Sequence, residues 1–273
     1  MNYDKLDLLT PEEIEIRKYK AAHPLSTRKT MGAPIVAKGD SWFDFPPGLD
    51  LVDSLRELGF TINNFSRAGD TLENMIHGNS VDDDGKHLPP GIDAALLEVK
   101  RARPGYFLFS GGGNDVAGQE FVNFLNHSRQ GSGKLLRESI AEEMINVVFK
   151  DYLVHLIKVV KSACPTTKIV MHGYGHALPS GKATKILFIP VAGPWLLPGL
   201  QKKAISQAVG EKLIVDLIDR YNEMLRSLAV DNSNFLYVDI RSSISANDWR
   251  DELHLKSSAY ARVAAKIAKV IEM

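Results

Sequence analysis

The chain has 273 residues, 44% hydrophobic and 24% charged, which is an ordinary globular composition with material for a large core. Its 33 basic and 33 acidic residues cancel, so there is no basic field to attract nucleic acid and no acidic tail to repel it. The single cysteine, Cys164, excludes a disulfide framework within the chain and reads as a buried structural thiol.

The first residues, Met1-Asn2-Tyr3-Asp4-Lys5, carry no apolar signal core, and no later apolar run is long enough to span a bilayer. The expectation is a cytoplasmic protein without membrane insertion, although a chain whose signal had been cut off would read the same way. Thr10-Pro11-Glu12-Glu13 is a helix start, with Thr as N-cap, Pro at the first helical position and acids in the first turn. It predicts a short charged helix through about Ala22, within an N-terminal extension over 1–33. A single domain over 34–273 follows.

From Pro34 onward short apolar runs alternate with stretches of helical spacing. The predicted strands are Ile35 to Lys38, Thr61 to Phe65, Tyr106 to Ser110, Lys168 to His172 and Phe235 to Asp239. Between and after them lie helical patterns at Leu49 to Leu58, Ile92 to Arg101, Ser139 to Ala163, Glu211 to Val230 and Ser257 to Glu272. Strand then helix, repeated, predicts an α/β fold with a mainly parallel five-stranded sheet covered on both faces. Val81 to Pro90 and Asn126 to Lys134 read as polar surface loops. Ala177 to Leu200 mixes Pro and Gly with Ile186, Leu187, Phe188, Trp195, Leu196 and Leu197, and reads as a pocket wall or a lid.

In such a sheet the ligand site lies beyond the carboxyl ends of the strands. Gly39-Asp40-Ser41 follows the first strand, Ser66-Arg67-Ala68-Gly69 the second and Gly111-Gly112-Gly113-Asn114 the third. His172-Gly173-Tyr174 closes the fourth, and Asp251 to His254 lies between the last strand and the last helix. A serine hydroxyl is a poor nucleophile until a base takes its proton. Of the 8 histidines, only His254 combines a place after the last strand with an acid one turn away. Asp251, three residues earlier, can fold back to Nδ1 and leave Nε2 free to accept the Ser41 proton. Glu252, expected to point away from the ring, and Asp248, six residues back, are poorer partners. The Ser41 N–H, the Gly69 N–H and the Asn114 side-chain amide are candidate donors to an oxyanion.

Each piece has a bland reading: Gly-Asp-Ser is common at turns, a glycine run can be a loop or a phosphate cradle, and Asp-x-x-His is a frequent surface pattern. Their order at successive strand ends is far more specific. Gly39-Asp40-Ser41, Gly69, Gly112-Gly113-Asn114-Asp115 and Asp251-Glu252-Leu253-His254 resemble the four sequence blocks of the SGNH (GDSL-like) hydrolases. The resemblance implies a three-layer, flavodoxin-like α/β/α fold and serine-ester hydrolysis with neither metal nor cofactor. It also implies Ser41, Gly69, Asn114 and His254 in the four named roles, with Asp251 completing the triad. Two positions depart from the pattern: Trp42 stands where many members carry a small or aliphatic residue, and Arg67 sits near the site. The Gly-x-Ser-x-Gly elbow of α/β-hydrolases is absent, since Phe43 occupies its second glycine position.

His172 and His176, with Asp40 and Asp44, could suggest a metal site, but Gly173 and Gly175 argue against a helix presenting both rings on one face. Trp42, Phe43, Phe45, Pro46 and Pro47 either line an acyl pocket or pack the first turn, and Trp195-Leu196-Leu197-Pro198 borders a pocket. The candidate pocket is therefore Trp42, Phe43, Tyr174 and Trp195. The expected function is a serine carboxylesterase acting through an acyl-enzyme on a small acetyl or short- to medium-chain acyl ester. The same machinery would serve a carbohydrate O-acetylesterase, a thioesterase or a lysophospholipase, and the fold could persist in a non-catalytic ligand-binding module.

Overall fold

The computed structural model describes residues 35–45, 49–131, 133–186 and 189–272. The expected N-terminal helix, and Pro46, Pro47, Leu187 and Phe188, lie outside the described residues.

The central sheet has five parallel strands: β1 (Ile35–Lys38), β2 (Ile62–Asn64), β3 (Tyr106–Phe109), β4 (Lys168–His172) and β7 (Phe235–Val238). Their order, β2-β1-β3-β4-β7, is that of a flavodoxin-like sheet, whose switch point lies between β1 and β3. All four residues of β1 are buried, as a parallel strand covered on both faces requires. The helices that enclose the sheet are α1 (Leu51–Glu57), α3 (Asp93–Ala102), α6 (Lys150–Ala163), α8 (Gln207–Asp231) and α9 (Ser257–Ile271). α1 packs with α9, while α3 and α8 both pack against α6.

Each of the five predicted strands and five predicted helical stretches is present, with ends shifted by a few residues. The stretch from Ser139 to Ala163 is less regular than a single helix. It comprises α5 (Glu138–Glu143), a π-helical turn (Met144–Phe149) and α6. Further short pieces were not expected, among them α2 (Leu72–Ile76), α4 (Gly113–Val116), a 3₁₀ turn (Glu120–Phe124) and α7 (Leu197–Lys202). The 177–200 stretch, read as a loop, contains an antiparallel pair, β5 (Thr184–Ile186) with β6 (Ile189–Ala192). Cys164 is fully buried.

Candidate active site

The turn after β1 places Ser41 at the switch point. Gly39 permits it, because a Cβ there would lie 2.8 Å from the Ser110 Cβ and 2.9 Å from the Phe43 ring. Asp40 then organises the turn from within. Buried at 2% exposure, its carboxylate accepts from the Trp42 N–H (3.0 Å), the Ser110 hydroxyl (2.8 Å) and the Tyr174 hydroxyl (2.6 Å). It is therefore a support for the turn, not a cap on a following helix. Burial first, then the Asp40 charge, pushes the Tyr174 phenol well above its ordinary range, so it donates steadily to Asp40.

Ser41 is half-buried, and its Oγ lies 2.8 Å from His254 Nε2. His254 Nδ1 faces both oxygens of Asp251, at 2.9 and 3.0 Å. An ionised carboxylate only accepts, so Nδ1 carries the proton and Nε2 is free to accept from the serine hydroxyl. The Asp-x-x-His spacing works because Asp251 Oδ1 also accepts from the Leu253 and His254 N–H groups, closing the turn on itself. Burial alone would raise the Asp251 carboxyl. Hydrogen bonding and charge from His254, then the Thr184 hydroxyl at 2.6 Å, hold it below its ordinary value. The imidazole is sandwiched between the Phe45 ring (4.2 Å, stacked) and the edge of Trp195 (5.5 Å).

Gly69 has φ +78 and is exposed, the backbone of a residue that a side chain would strain. Its loop is tied to the Ser41 turn by the Arg67 N–H donating to the Gly39 carbonyl (3.0 Å). The Asn114 amide donates to the Asp70 carbonyl at 2.9 Å, which leaves its second N–H uncommitted. Beneath this loop Lys38 and Asp70, both nearly inaccessible, form an ion pair at 2.6 Å. Arg67 is exposed, and no carboxylate pairs with it among the described residues.

Asp115 accepts from the Leu72 and Glu73 N–H groups at 2.7 and 3.2 Å and so caps α2 from outside it. Burial raises its pKa to about 6, against the lowering effect of those two N–H groups, with the Asp40 charge adding to the rise. An unfolded aspartate titrates near ~3.9, so the native state holds this proton more tightly than the unfolded chain. The stability it contributes is present below that value and is lost as pH rises to about 6. Thermal melts should show a loss of Tm over this window that Asp115→Asn flattens. Equal slopes in both proteins would contradict it.

Two of the four expected pocket residues hold their place and two do not. Trp42 and Tyr174 line an apolar chamber of about 110 Å³ that opens beside Ser41 and Asn114. Phe43 is a core residue at 1% exposure, turned away beneath the turn against His172. Trp195 stands at His254, outside the chamber lining. Trp42, buried at 3%, donates its indole N–H to the Leu253 carbonyl (3.1 Å) and stacks on His172 (5.0 Å). It thereby joins the serine turn to the histidine turn across 211 positions of sequence.

His172 and His176 serve separate partners. His172 is buried with Nδ1 at 2.6 Å from the Gly173 carbonyl, and burial lowers its pKa; His176 Nε2 meets Asp219 at 2.8 Å. No group of three potential metal ligands occurs among the described residues. The Asp248 carboxylate is committed to Ser245 and Arg262.

Sequence reasoning missed Glu252. It does point away from His254, but inward: it is fully buried and accepts the Gly181, Trp195, Leu196 and Leu197 N–H groups at 2.8, 2.5, 2.6 and 3.1 Å. Two consecutive carboxylates thus divide the work, Asp251 holding the imidazole and Glu252 holding the segment that carries Thr184 and Trp195.

A flavodoxin-like α/β/α protein with a serine, a histidine and an aspartate in hydrogen-bonded series at its switch point is the class that this geometry defines. The chain belongs to the GDSL-like lipase/acylhydrolase family, whose model matches residues 31–267, and this membership supports hydrolase activity. No curated protein shows a significant match to it. In fold it is similar to phospholipase A1 from Streptomyces albidoflavus (TM-score 0.54, 12% identity, 88% of this chain and 99% of that one). It is also similar to an extracellular lipase from Streptomyces rimosus (TM-score 0.53, 14% identity, 87% and 99%). A third is the periplasmic domain of a lipopolysaccharide acetyltransferase from Salmonella ser. Paratyphi A (TM-score 0.51, 13% identity, 97% and 98%). No helix among the described residues is long and apolar enough to cross a membrane.

Proposed function

We propose that the protein, through its 34–273 domain, is a serine carboxylic ester hydrolase that works through an acyl-enzyme. The observation that carries this reading is the unbroken series Ser41 Oγ to His254 Nε2 (2.8 Å) and His254 Nδ1 to Asp251 (2.9 Å). Ser41 Oγ attacks the ester carbonyl while its proton passes to Nε2, and the new Oγ–C bond turns the carbonyl oxygen into an oxyanion. The Ser41 N–H, the Gly69 N–H and the free Asn114 N–H are the donors for that charge. Collapse breaks the bond to the alcohol, which leaves with the proton from His254. Water then repeats the sequence on the acyl-enzyme, with His254 as its base, and returns Ser41 and the acid.

A fluorophosphonate probe tests the nucleophile directly. Mass spectrometry is expected to find one adduct, on the peptide holding Ser41, with parallel loss of p-nitrophenyl butyrate hydrolysis, and His254→Ala should slow labelling. An adduct elsewhere, or none, defeats the reading and revives a non-catalytic binding module.

The base also sets a pH dependence. His254 must be neutral to take the serine proton, so kcat/KM should rise with pH on the acid side. A flat profile there, with chemistry rate-limiting, counts against a histidine base.

A further inference from the structure

We propose that the chamber beside Ser41 holds the acyl chain of the substrate, and that Ile145 and Phe149 on the π-helical turn set the chain length it takes. The proposal rests on Ser41 being the nucleophile of an ester hydrolase. The chamber is lined by Ser41, Trp42 and Asn114 and by six buried apolar side chains, Phe121, Phe124, Ile145, Phe149, Ile214 and Leu217. Those wall residues come from three separate elements, the 3₁₀ turn after α4, the π-helical turn and α8, which close over one apolar space.

Chemistry selects the occupant. The two phenol groups in the lining are already committed, Tyr174 to Asp40 (2.6 Å) and Tyr221 to the Gly111 carbonyl (2.6 Å). A sugar or other hydroxyl-rich group would lose its water there and find little in return. An apolar cavity of about 150 Å³ stays dry and takes an apolar guest, and the present chamber, about 110 Å³, is of that order. The order of events selects which half of the ester enters. The alcohol must depart before water can reach the acyl-enzyme, whereas the acyl group stays bonded to Ser41 throughout. A recess lined by Ser41 and by buried apolar side chains suits the group that stays, and the exposed Gly69 and Arg67 side is open to the one that leaves.

The π-helical turn is what brings this wall into place. Ile145 and Phe149 are buried at 3% and 1%, whereas Val147 between them is 43% exposed. One extra residue in a turn rotates the following helix by roughly 100° relative to a continuous α-helix. α6 can therefore bury Leu153, Leu156, Ile157 and Val160 in the core while the turn before it faces the chamber. Such turns concentrate at functional sites, and here the turn supplies the wall at which a chain would end.

The test is the ratio of kcat/KM for p-nitrophenyl hexanoate to that for p-nitrophenyl acetate, measured in one preparation so that any loss of folded protein cancels. Each methylene buried is worth roughly fourfold, so the wild-type ratio should exceed tenfold. Ile145→Trp, which fills part of the chamber, should cut that ratio at least tenfold. Phe149→Ala, which lengthens the chamber, should raise the dodecanoate to hexanoate ratio by a similar factor. Ratios near one in all three proteins, with Ser41 still labelled by the fluorophosphonate, would overturn the acyl chamber and leave the serine esterase standing. A preference that follows the alcohol in a series of acetate esters, and not the acyl chain, would overturn it too. Loss of both labelling and hydrolysis in the wild type would overturn the serine reading beneath it.

Discussion

Ser41→Ala is expected to lower kcat for p-nitrophenyl butyrate by roughly 10⁶-fold while leaving the fold as it is. The serine is half-buried, and among the described residues its hydroxyl is engaged by His254 alone, so its removal opens no cavity in the core and strands no buried donor. A change in stability within about 0.5 kcal/mol follows. His254→Ala should cost nearly as much, and the double variant little more than either, because the pair acts as one unit. Some catalysis over water should survive in all three, since the oxyanion donors are on the backbone and on Asn114. A Ser41→Ala enzyme that hydrolyses the ester at the wild-type rate would remove the basis of the proposed mechanism.

Glu252→Ala should produce the second largest effect, and on two readouts at once. The carboxylate is fully buried, and the four backbone N–H groups that it holds belong to Gly181 and to the chain entering α7. Truncation leaves these donors without an acceptor, at a cost of about 3–5 kcal/mol, comparable with stripping a partner from a buried charge. For a domain of this size the melting temperature should fall on the order of 10 °C. Activity should fall as well, because the freed segment carries Thr184, whose hydroxyl bonds Asp251, and Trp195, whose ring edge abuts His254. Displacing the imidazole by an ångström costs about a hundredfold. Thr184→Val separates the contributions: it leaves the clamp intact and removes only the hydroxyl from Asp251, so kcat should drop with little change in Tm. Wild-type melting and wild-type turnover in Glu252→Ala would show that the segment is held by other means.

The sheet was legible because four of its five strands, all but β2, are short apolar runs ended by a glycine or a polar residue, and a parallel sheet puts every such end on one edge. The triad was legible for a related reason. Asp251 and His254 are close in sequence, and only one serine stands at the end of the first strand. Buried charge was not legible. Lys38, Asp70 and Glu252 look in sequence like any solvated residue, and only packing shows that each has been taken from water and given partners. A faint signal existed for Lys38, the single charge closing an otherwise apolar strand. The β5–β6 pair was missed because its strands are short and one contains Pro190. The chamber was invisible because its wall is assembled from residues near 121, 145 and 214. Phe43, next to the serine motif, and Trp195, in the apolar 177–200 stretch, were the natural guess in its place.

Of the 3 tryptophans in the chain, none lies far from the Ser41–His254 pair. Trp42 forms part of the chamber wall and stacks on His172, Trp249 meets Trp42 edge-on at 6.5 Å and also lines the chamber, and Trp195 stands against His254. The intrinsic fluorescence of this protein is therefore a local signal and not an average over the fold. Filling the chamber, acylating Ser41 or releasing the segment that Glu252 holds would each alter the surroundings of a different subset of these indoles. On the proposed mechanism, stopped-flow emission on the unlabelled, unmodified chain would time acylation and deacylation even for esters that release no chromophore.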